Sequence, residues 1–400
     1  MQATVTSEDQ LILLLARGEL SPHVQEEAFA LLSKPLRWDL ILERAAEHEV
    51  YPLLYRNLRR LGFPGVPSQV SFALERLYKA NAFRNSLLAE ELAQVLKLLA
   101  GAGIPTIPLK GVTLAESLYG DLTLRVCADI DILVPRRLVA QAFHLLVAGG
   151  YRAEFTERFF EDCLLRSHIE EYALLREDRC VRYLLELHWG ILWGAQWNED
   201  ATEDFWGEAR PKAFFGVPAY TLSPEWELLF LAAHAARHQW QGLKWLVDIH
   251  EVCSRDEIEW DTVREKAKRL GWEELLRITL GACHALLDTP IPARFPLRML
   301  PPWVTLFPND PSPQSWHSVF LPLRLLTRPS DRLCYLLRGL LVPTLADRQL
   351  FRLPSSLVLL YYPLHLLRVG CKWSWRLVSV VSRRFRSTAP PSPSTRRTRS

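Results

Sequence analysis

Two aspartates one residue apart, Asp129 and Asp131, sit in the run from Arg125 to Val134, which otherwise reads as a buried strand. In a strand, residues i and i+2 share a face. The two carboxylates therefore project together, about 6.6 Å apart along the strand. Ile130 and Ile132 point the other way, into an apolar layer. Like charges side by side on an apolar strand are costly unless a cation neutralises them. A divalent metal is the simplest such cation. Two neighbouring aspartates with room left for phosphate oxygens are a usual way of presenting Mg2+ to a nucleotide. Removing one of the charges is then expected to cost the metal-free protein little. The plainer reading is a solvated edge strand. The flanks speak against it, because Ile-Leu-Val follows at once and Lys110-Gly111 closes another strand-like run, Ile104 to Lys110.

Other residues have spacings that could serve chemistry. Gly111 stands where a strand-like run turns into a helix. Backbone amides at a helix N-terminus bind phosphate, and glycine lets it approach closely. Taken alone, Lys110 reads as a strand-end lysine reaching for water. His234 and His238 lie i, i+4 on one helical face, a spacing that can bind zinc. The residues between them are Ala-Ala-Arg, without the glutamate of a His-Glu-x-x-His site. Packing against the strands, or contact with nucleotide or acceptor, is therefore favoured. Lys244 and Asp248 are also i, i+4, and read either as a helical ion pair or as residues facing the cleft.

Several strings carry a resemblance when taken together. They are Leu109-Lys-Gly-Val-Thr-Leu-Ala-Glu-Ser-Leu-Tyr-Gly-Asp121, Arg125, Asp129-Ile-Asp-Ile-Leu-Val134 and Glu186-Leu-His-Trp189. His234-Ala-Ala-Arg-His238 and Leu243-Lys-Trp-Leu-Val-Asp-Ile249 extend the set. The chain resembles the nucleotidyltransferase family related to DNA polymerase beta, and more narrowly a bacterial group of uncharacterised nucleotidyltransferases. The resemblance spans residues 40–290 and runs more weakly to 375.

It implies an α+β fold, with a small polymerase beta-like nucleotidyltransferase α/β core between helical N-terminal and C-terminal regions. It implies transfer of a nucleoside monophosphate from a nucleoside triphosphate, ATP being the expected donor. The acceptor would carry a hydroxyl and be a small molecule, sugar, peptide or protein. In-line attack would use two Mg2+ (or Mn2+) ions about 3.5–4 Å apart. Asp129 and Asp131 would bridge both. Glu186 is the expected third carboxylate, holding the catalytic metal and orienting or deprotonating the acceptor hydroxyl. His188 shares its strand face. The family more often has Asp there, so this chain's side chain is one methylene longer. Lys110 and Arg125 are the expected contacts to the β- and γ-phosphates, joined by Lys244. Relatives carry Gly-Ser or Gly-Gly where this chain has Gly111-Val-Thr113, so Thr113 is the candidate for the missing hydroxyl. His188, His234, His238 and Asp248 are expected to be substrate or structural residues, and Tyr119 and Asp121 to fix the loop after the helix. The alternatives are a catalytically inactive relative that binds nucleotide or a partner protein, and a membrane-peripheral interaction protein. The latter leaves Asp129-Ile-Asp131 unexplained.

Positioning such a site takes a sheet and helices around it. Apolar residues at three and four spacing predict helices within 7–100, with a turn at 62–67. Strands are predicted at 104–110, 125–134, 151–155 and 182–189, and helices at 112–119 and 135–148. Residues 214–222 predict a short strand or hairpin. Ser223-Pro-Glu-Trp-Glu227 reads as a helix start, with helices at 225–238, 245–253, 260–270 and 272–287. The expected organisation is a helical region at 1–100, the nucleotidyltransferase core at 101–222, and a helical cleft domain at 223–290. A helical extension at 291–386 and a disordered basic tail at 387–400 complete it.

Composition narrows the class. With 400 residues, 49% hydrophobic and 23% charged, the chain has the length and composition of two or three ordinary packed units. A net charge of +3 is too small to call for nucleic acid. The seven cysteines are scattered and form no Cys-x-x-Cys pair, which speaks against disulfides or a zinc ribbon. The N-terminus lacks a basic start followed by an apolar core, so a cytoplasmic enzyme is expected. The stretch 353–367 is broken by Pro354 and Pro363 and is too short to span a bilayer. Peripheral membrane contact through 350–386, with Arg383, Arg384 and Arg386 following, is a weaker alternative to core helices.

Overall fold

The helical pattern of the first hundred residues becomes α1 (Ser7–Leu15), α2 (Pro22–Leu32), α3 (Trp38–Glu47), α4 (Tyr51–Arg60) and α5 (Ser68–Gly101). The structure is a computed structural model that describes residues 5–153, 171–178, 181–190, 200–255, 257–301, 306–307, 317–351 and 353–371. Local chemistry starts these helices. The Thr6 hydroxyl accepts from the Asp9 amide, and the Asp9 carboxylate accepts from the Thr6 amide, a closed capping box. Ser21 caps α2 with Pro22 at its first position. At 34 residues, α5 is about 50 Å long and runs past both the helical core and the sheet.

The next elements are β1 (Ile107–Pro108), α6 (Val112–Tyr119), β2 (Ile130–Leu133), α7 (Val139–Ala148), β3 (Arg152–Ala153), β4 (Glu171–Asp178) and β5 (Val181–His188). The five strands form one sheet in the order β1-β2-β5-β4-β3. β2 and β5 are parallel, and the other pairs are antiparallel. Ile130, Ile132, Leu185 and Leu187 fill one face and pack with Leu92 and Leu96 of α5 and Phe143 and Leu146 of α7. The period of two leaves Asp131, Glu186 and His188 on the other face.

The hairpin anticipated near 214–222 is β6 (Arg210–Phe214) and β7 (Val217–Thr221), preceded by α8 (Asp200–Gly207). Phe215 and Gly216 both have positive φ, 50° and 78°, as a tight two-residue turn requires. Ser223 then caps α9 (Pro224–Arg237) by accepting from the Trp226 amide. α10 (Leu243–Cys253), α11 (Trp260–Leu270), α12 (Glu273–Leu287) and α13 (His317–Leu325) follow. Their apolar faces share one core with the N-terminal helices, including Leu11, Leu15 and Leu54 against Leu229, Leu246 and Leu280. Trp226, Trp240 and Trp272 are fully buried there. Residues Met1–Pro329 form one compact unit and Ser330–Ser400 a second. In the second, α14 (Pro329–Leu341), α15 (Leu345–Phe351), a 3-10 turn at Ser355–Leu360 and a helix over 361–371 follow one another.

Some expectations are corrected. The strand expected over 125–134 is confined to Ile130–Leu133, and that over 104–110 to Ile107–Pro108. Residues 135–148 open with a 3-10 turn at Arg136–Leu138 before α7 begins. The third strand, expected over 151–155, is seen at Arg152–Ala153; Tyr151 precedes it, and 154–155 lie outside the described residues. The tail 387–400 and residues 372–386 also lie outside them. Among the described residues no helix is long and apolar enough to cross a membrane.

Two histidines of the first unit give a pH dependence. Burial pushes both His48 and His250 down to about 4, with Arg44 adding to the effect on His48. The His48 Nδ1 accepts from the Leu243 amide at 3.3 Å, which only the unprotonated nitrogen can do. Their folded values lie below the unfolded value of about 6.5. This contribution to stability is therefore complete above about pH 6.5 and is lost as the pH falls from there through about 4. A loss on the order of 1–2 kcal/mol per histidine is expected at pH 5. Melting temperatures measured from pH 7.5 to 4.5 should fall across this window, and fall less steeply in His48→Asn. An identical slope in the variant would remove His48 from the explanation.

Candidate active site

Asp129 stands just before β2, at the end of a segment held by side chains rather than by a sheet ladder. Asn85 Nδ2 donates to the carbonyls of Leu122 and Arg125 at 2.5 and 2.7 Å. One turn earlier on α5, Asn81 Nδ2 donates to those of Thr123 and Arg125 at 2.9 and 3.1 Å. Arg84 takes the Ala128 carbonyl at 3.1 Å, and Lys244 of α10 the Val126 carbonyl at 3.3 Å. This is why the strand begins late. The carbonyls of 125, 126 and 128 have side-chain donors, and the segment is fixed without strand partners. Asp121 closes the other end, its Oδ1 accepting from the Thr123 amide and hydroxyl at 2.8 and 2.7 Å.

Arg125 is placed differently from its expected phosphate role. Its Nε donates to both carboxylate oxygens of Asp248 at 3.1 Å, and Nη2 donates to Oδ2 at 2.9 Å. Both side chains are buried, 4% and 1% exposed. Burial opposes the guanidinium charge, but Asp248 outweighs it and holds Arg125 above its ordinary value. A bidentate partner and the lack of exposure leave no face for a phosphate. Lys244 and Asp248 are not paired with each other. Lys244 is bonded to Glu49 and the Val126 carbonyl, and Asp248 to Arg125.

The polar face of the sheet gathers the carboxylates. Parallel register sets Asp131 beside Glu186, and antiparallel register sets Glu171 opposite His188. Lys110, just beyond β1, places its ammonium 3.2 Å from Asp129 Oδ2 and 2.9 Å from Asp131 Oδ2. The cation that the paired aspartates demand is, in this structure, Lys110. Asp131 Oδ1 lies 3.1 Å from His188 Nε2, which is 3.6 Å from Glu186 Oε2. His188 Nδ1 is 3.6 Å from Glu171 Oε2. Arg237, at the end of α9, clasps both oxygens of Glu171.

These contacts set the charges. Burial raises the Asp131 carboxyl, but Lys110 and His188 overcome it and hold Asp131 well below the usual carboxylate range. Burial likewise opposes charge on His188, and its hydrogen bond to Asp131 together with the nearby Glu186 carboxylate reverses that, raising it to about 9. For Glu186, the His188 ring 3.6 Å away pulls downward, while burial and the adjacent Asp131 win and raise it. Among the described residues, Asp131, Glu186 and His188 bring ligand atoms within 4.8 Å of one another. Asp129 lies outside this group, on Lys110, and His188 stands in it.

Gly111 ends the loop that carries Lys110 and begins α6. Its φ is 70°, in the region that favours glycine. A Cβ there would sit 3.3 Å from the Asp129 carbonyl, so the start of α6 abuts the aspartate segment. Thr113 is buried in the first turn, its hydroxyl donating to the Lys110 carbonyl at 2.9 Å. His234 and His238 belong to an aromatic cluster. The two rings meet edge to face at 4.7 Å, and His238 stacks on Trp245 at 4.4 Å. Burial, then the Lys110 charge, pushes His234 well below its ordinary value, and burial, then Arg237, lowers His238. Both rings rest on Trp245, His234 edge-on and His238 stacked.

The sequence reading missed Glu171 and Arg237, and with them Asn81 and Asn85. The asparagines carried a legible signal, since they lie i, i+4 on an otherwise apolar helix face. Arg237 lay inside the His234–His238 block.

The fold is α+β, and its sheet presents carboxylates, a lysine and a helix start at one end of β2. Residues 34–288 match the family described as uncharacterised nucleotidyltransferases, and the chain belongs to that family. No curated protein matches it. Among solved structures, an antigenic nucleotidyltransferase-like protein from Paracoccidioides brasiliensis is similar at 17% identity, covering 51% of this chain and 93% of that one, with a TM-score of 0.32.

Proposed function

We propose that the protein transfers a nucleoside monophosphate from a nucleoside triphosphate, with ATP the expected donor, to a hydroxyl-bearing acceptor. The observation that carries this reading is the pairing of Asp131 with Glu186 across β2 and β5, with Asp129 and Lys110 beside them. The donor set fits a divalent cation. Carboxylate oxygens suit Mg2+ or Mn2+, and the imidazole of His188 suits Mn2+ as well. Four carboxylates, of Asp129, Asp131, Glu171 and Glu186, meet three cationic groups, Lys110, His188 and Arg237. The excess negative charge favours a cation there. When bound, the ion supplies neutralisation of the triphosphate and of the leaving pyrophosphate.

The chain's own residues do the rest. Asp131, Glu186 and Asp129 would hold the ion, with His188 fixing the orientation of the first two. Lys110 directly precedes the start of α6, where Gly111 admits a phosphate oxygen to the first-turn amides. Its ammonium neutralises the aspartates before nucleotide binds and the phosphates once it has bound. Glu186, with its raised affinity for a proton, takes the proton of the acceptor hydroxyl. Arg125 acts through Asp248 and the backbone, as a positioning residue. Lys244 fixes the Val126 carbonyl in the same way.

The test is turnover. The protein, an α-labelled nucleoside triphosphate, Mg2+ and a panel of hydroxyl acceptors should give labelled acceptor and free pyrophosphate. Glu186→Gln should lower kcat by about 10²–10⁴-fold and change nucleotide KM much less. Absence of both turnover and Mg2+-dependent nucleotide binding by calorimetry would overturn the reading. An unchanged kcat in Glu186→Gln would remove the glutamate as base.

A further inference from the structure

Charge is divided unevenly along this chain. The unit Ser330–Ser400 carries thirteen Lys and Arg against two acids, Asp331 and Asp347. The residues before it carry eight more acids than bases, which is why the whole chain reaches only +3. Asp347 does not offset the excess at the surface. It is buried, accepting from the Thr344 amide and hydroxyl at 2.7 Å each, from His365 Nδ1 at 2.8 Å and from Arg368.

Apolar exposure is concentrated in the same unit. Of nineteen large apolar side chains exposed among the described residues, twelve fall within 333–367. Five of them, Leu333, Leu336, Leu337, Leu340 and Leu341, are each 45–57% exposed. Their spacing of three and four places them on one face of α14. Single exposed leucines need no explanation, but a whole helix face does.

We propose that this unit seats on an anionic lipid bilayer, with the leucine face of α14 at the boundary between headgroups and acyl chains and the unit's net positive charge drawing it to the headgroups. The charge selects this occupant. A second copy docking through the same face would bring two strongly positive units together, which repulsion opposes. A nucleic acid would satisfy the charge and leave the leucines in water. An anionic membrane surface satisfies both. At 13 residues, α14 is too short to cross a bilayer, which needs about 20, so it lies on the surface. This inference does not depend on the nucleotidyltransferase reading.

Cosedimentation of the full-length protein with vesicles tests it. Vesicles of phosphatidylcholine with about 30% phosphatidylglycerol should bind the protein at least about tenfold more tightly than phosphatidylcholine alone. Raising salt should weaken that binding. The Leu336→Gln/Leu340→Gln variant alters exposed positions and leaves net charge unchanged. It should lose about tenfold in vesicle binding with an unchanged melting temperature. Full binding by this variant would mean that only the basic residues act, and would overturn the proposal. So would no binding to anionic vesicles, or a wild-type dimer that the variant disperses.

Discussion

Asp131→Asn is expected to abolish nucleotidyl transfer and to destabilise the fold at the same time. The loss of activity should be about a thousandfold or more, because the carboxylate is central to the charge the site presents. The loss of stability has a separate origin. Asp131 is fully buried and faces the Lys110 ammonium at 2.9 Å and His188 at 3.1 Å. Asparagine leaves both cations without their central partner. Removing one member of a buried pair costs about 3–5 kcal/mol, and the lower end applies because Lys110 keeps Asp129. The sequence alone predicts little cost, since neutralising one of two repelling aspartates removes a repulsion. Asp129→Asn separates the two effects. Its side chain is 23% exposed, so activity should fall comparably while stability falls by only about 1 kcal/mol. Calorimetric melting and turnover of both variants check this. A wild-type melting temperature for Asp131→Asn would show that Lys110 does not neutralise the face.

How much of this could be read beforehand follows the range of the interaction. Glu186 and His188 share a face, and Ile130 and Ile132 an opposite one, because a period of two is a local property. The start of α6 after Gly111 and the cap of α9 at Ser223 are also local, resting on a few neighbouring residues. The partner of Arg125 is 123 residues away on α10, and nothing near Arg125 announces it. A phosphate contact and a buried clamp ask for the same residue type. β4 was missed for a related reason. Its residues Glu171 to Asp178 alternate only weakly, and what makes them a strand is eight-residue pairing with β5. With β4 unseen, Glu171 and its partner Arg237 were unseen too. For Lys110 the physics was legible and the identity was not. The aspartates needed a cation, and whether the chain itself supplied one depended on how β1 meets β2.

The clamp has its own consequence. Asp248→Asn should be among the most destabilising single changes in the first unit, about 3–5 kcal/mol, since it strands a buried guanidinium. Arg125 is 4% exposed and cannot turn to solvent without leaving the core. Its carbonyl is meanwhile held by Asn81 and Asn85. The strain is therefore transmitted to the segment that ends in Asp129. Any surviving folded fraction should show lowered kcat, because the aspartate has shifted against Asp131 and Lys110. The double variant Arg125→Met/Asp248→Leu discriminates between clamp and phosphate contact. It removes both charges and keeps the volume, so melting temperature should recover substantially over Asp248→Asn. Nucleotide KM should stay near wild type if Arg125 serves only as the partner of Asp248. A double variant that regains stability and loses nucleotide affinity tenfold or more would restore Arg125 to the phosphate site. One no more stable than Asp248→Asn would show that the pair's burial is not what holds the segment.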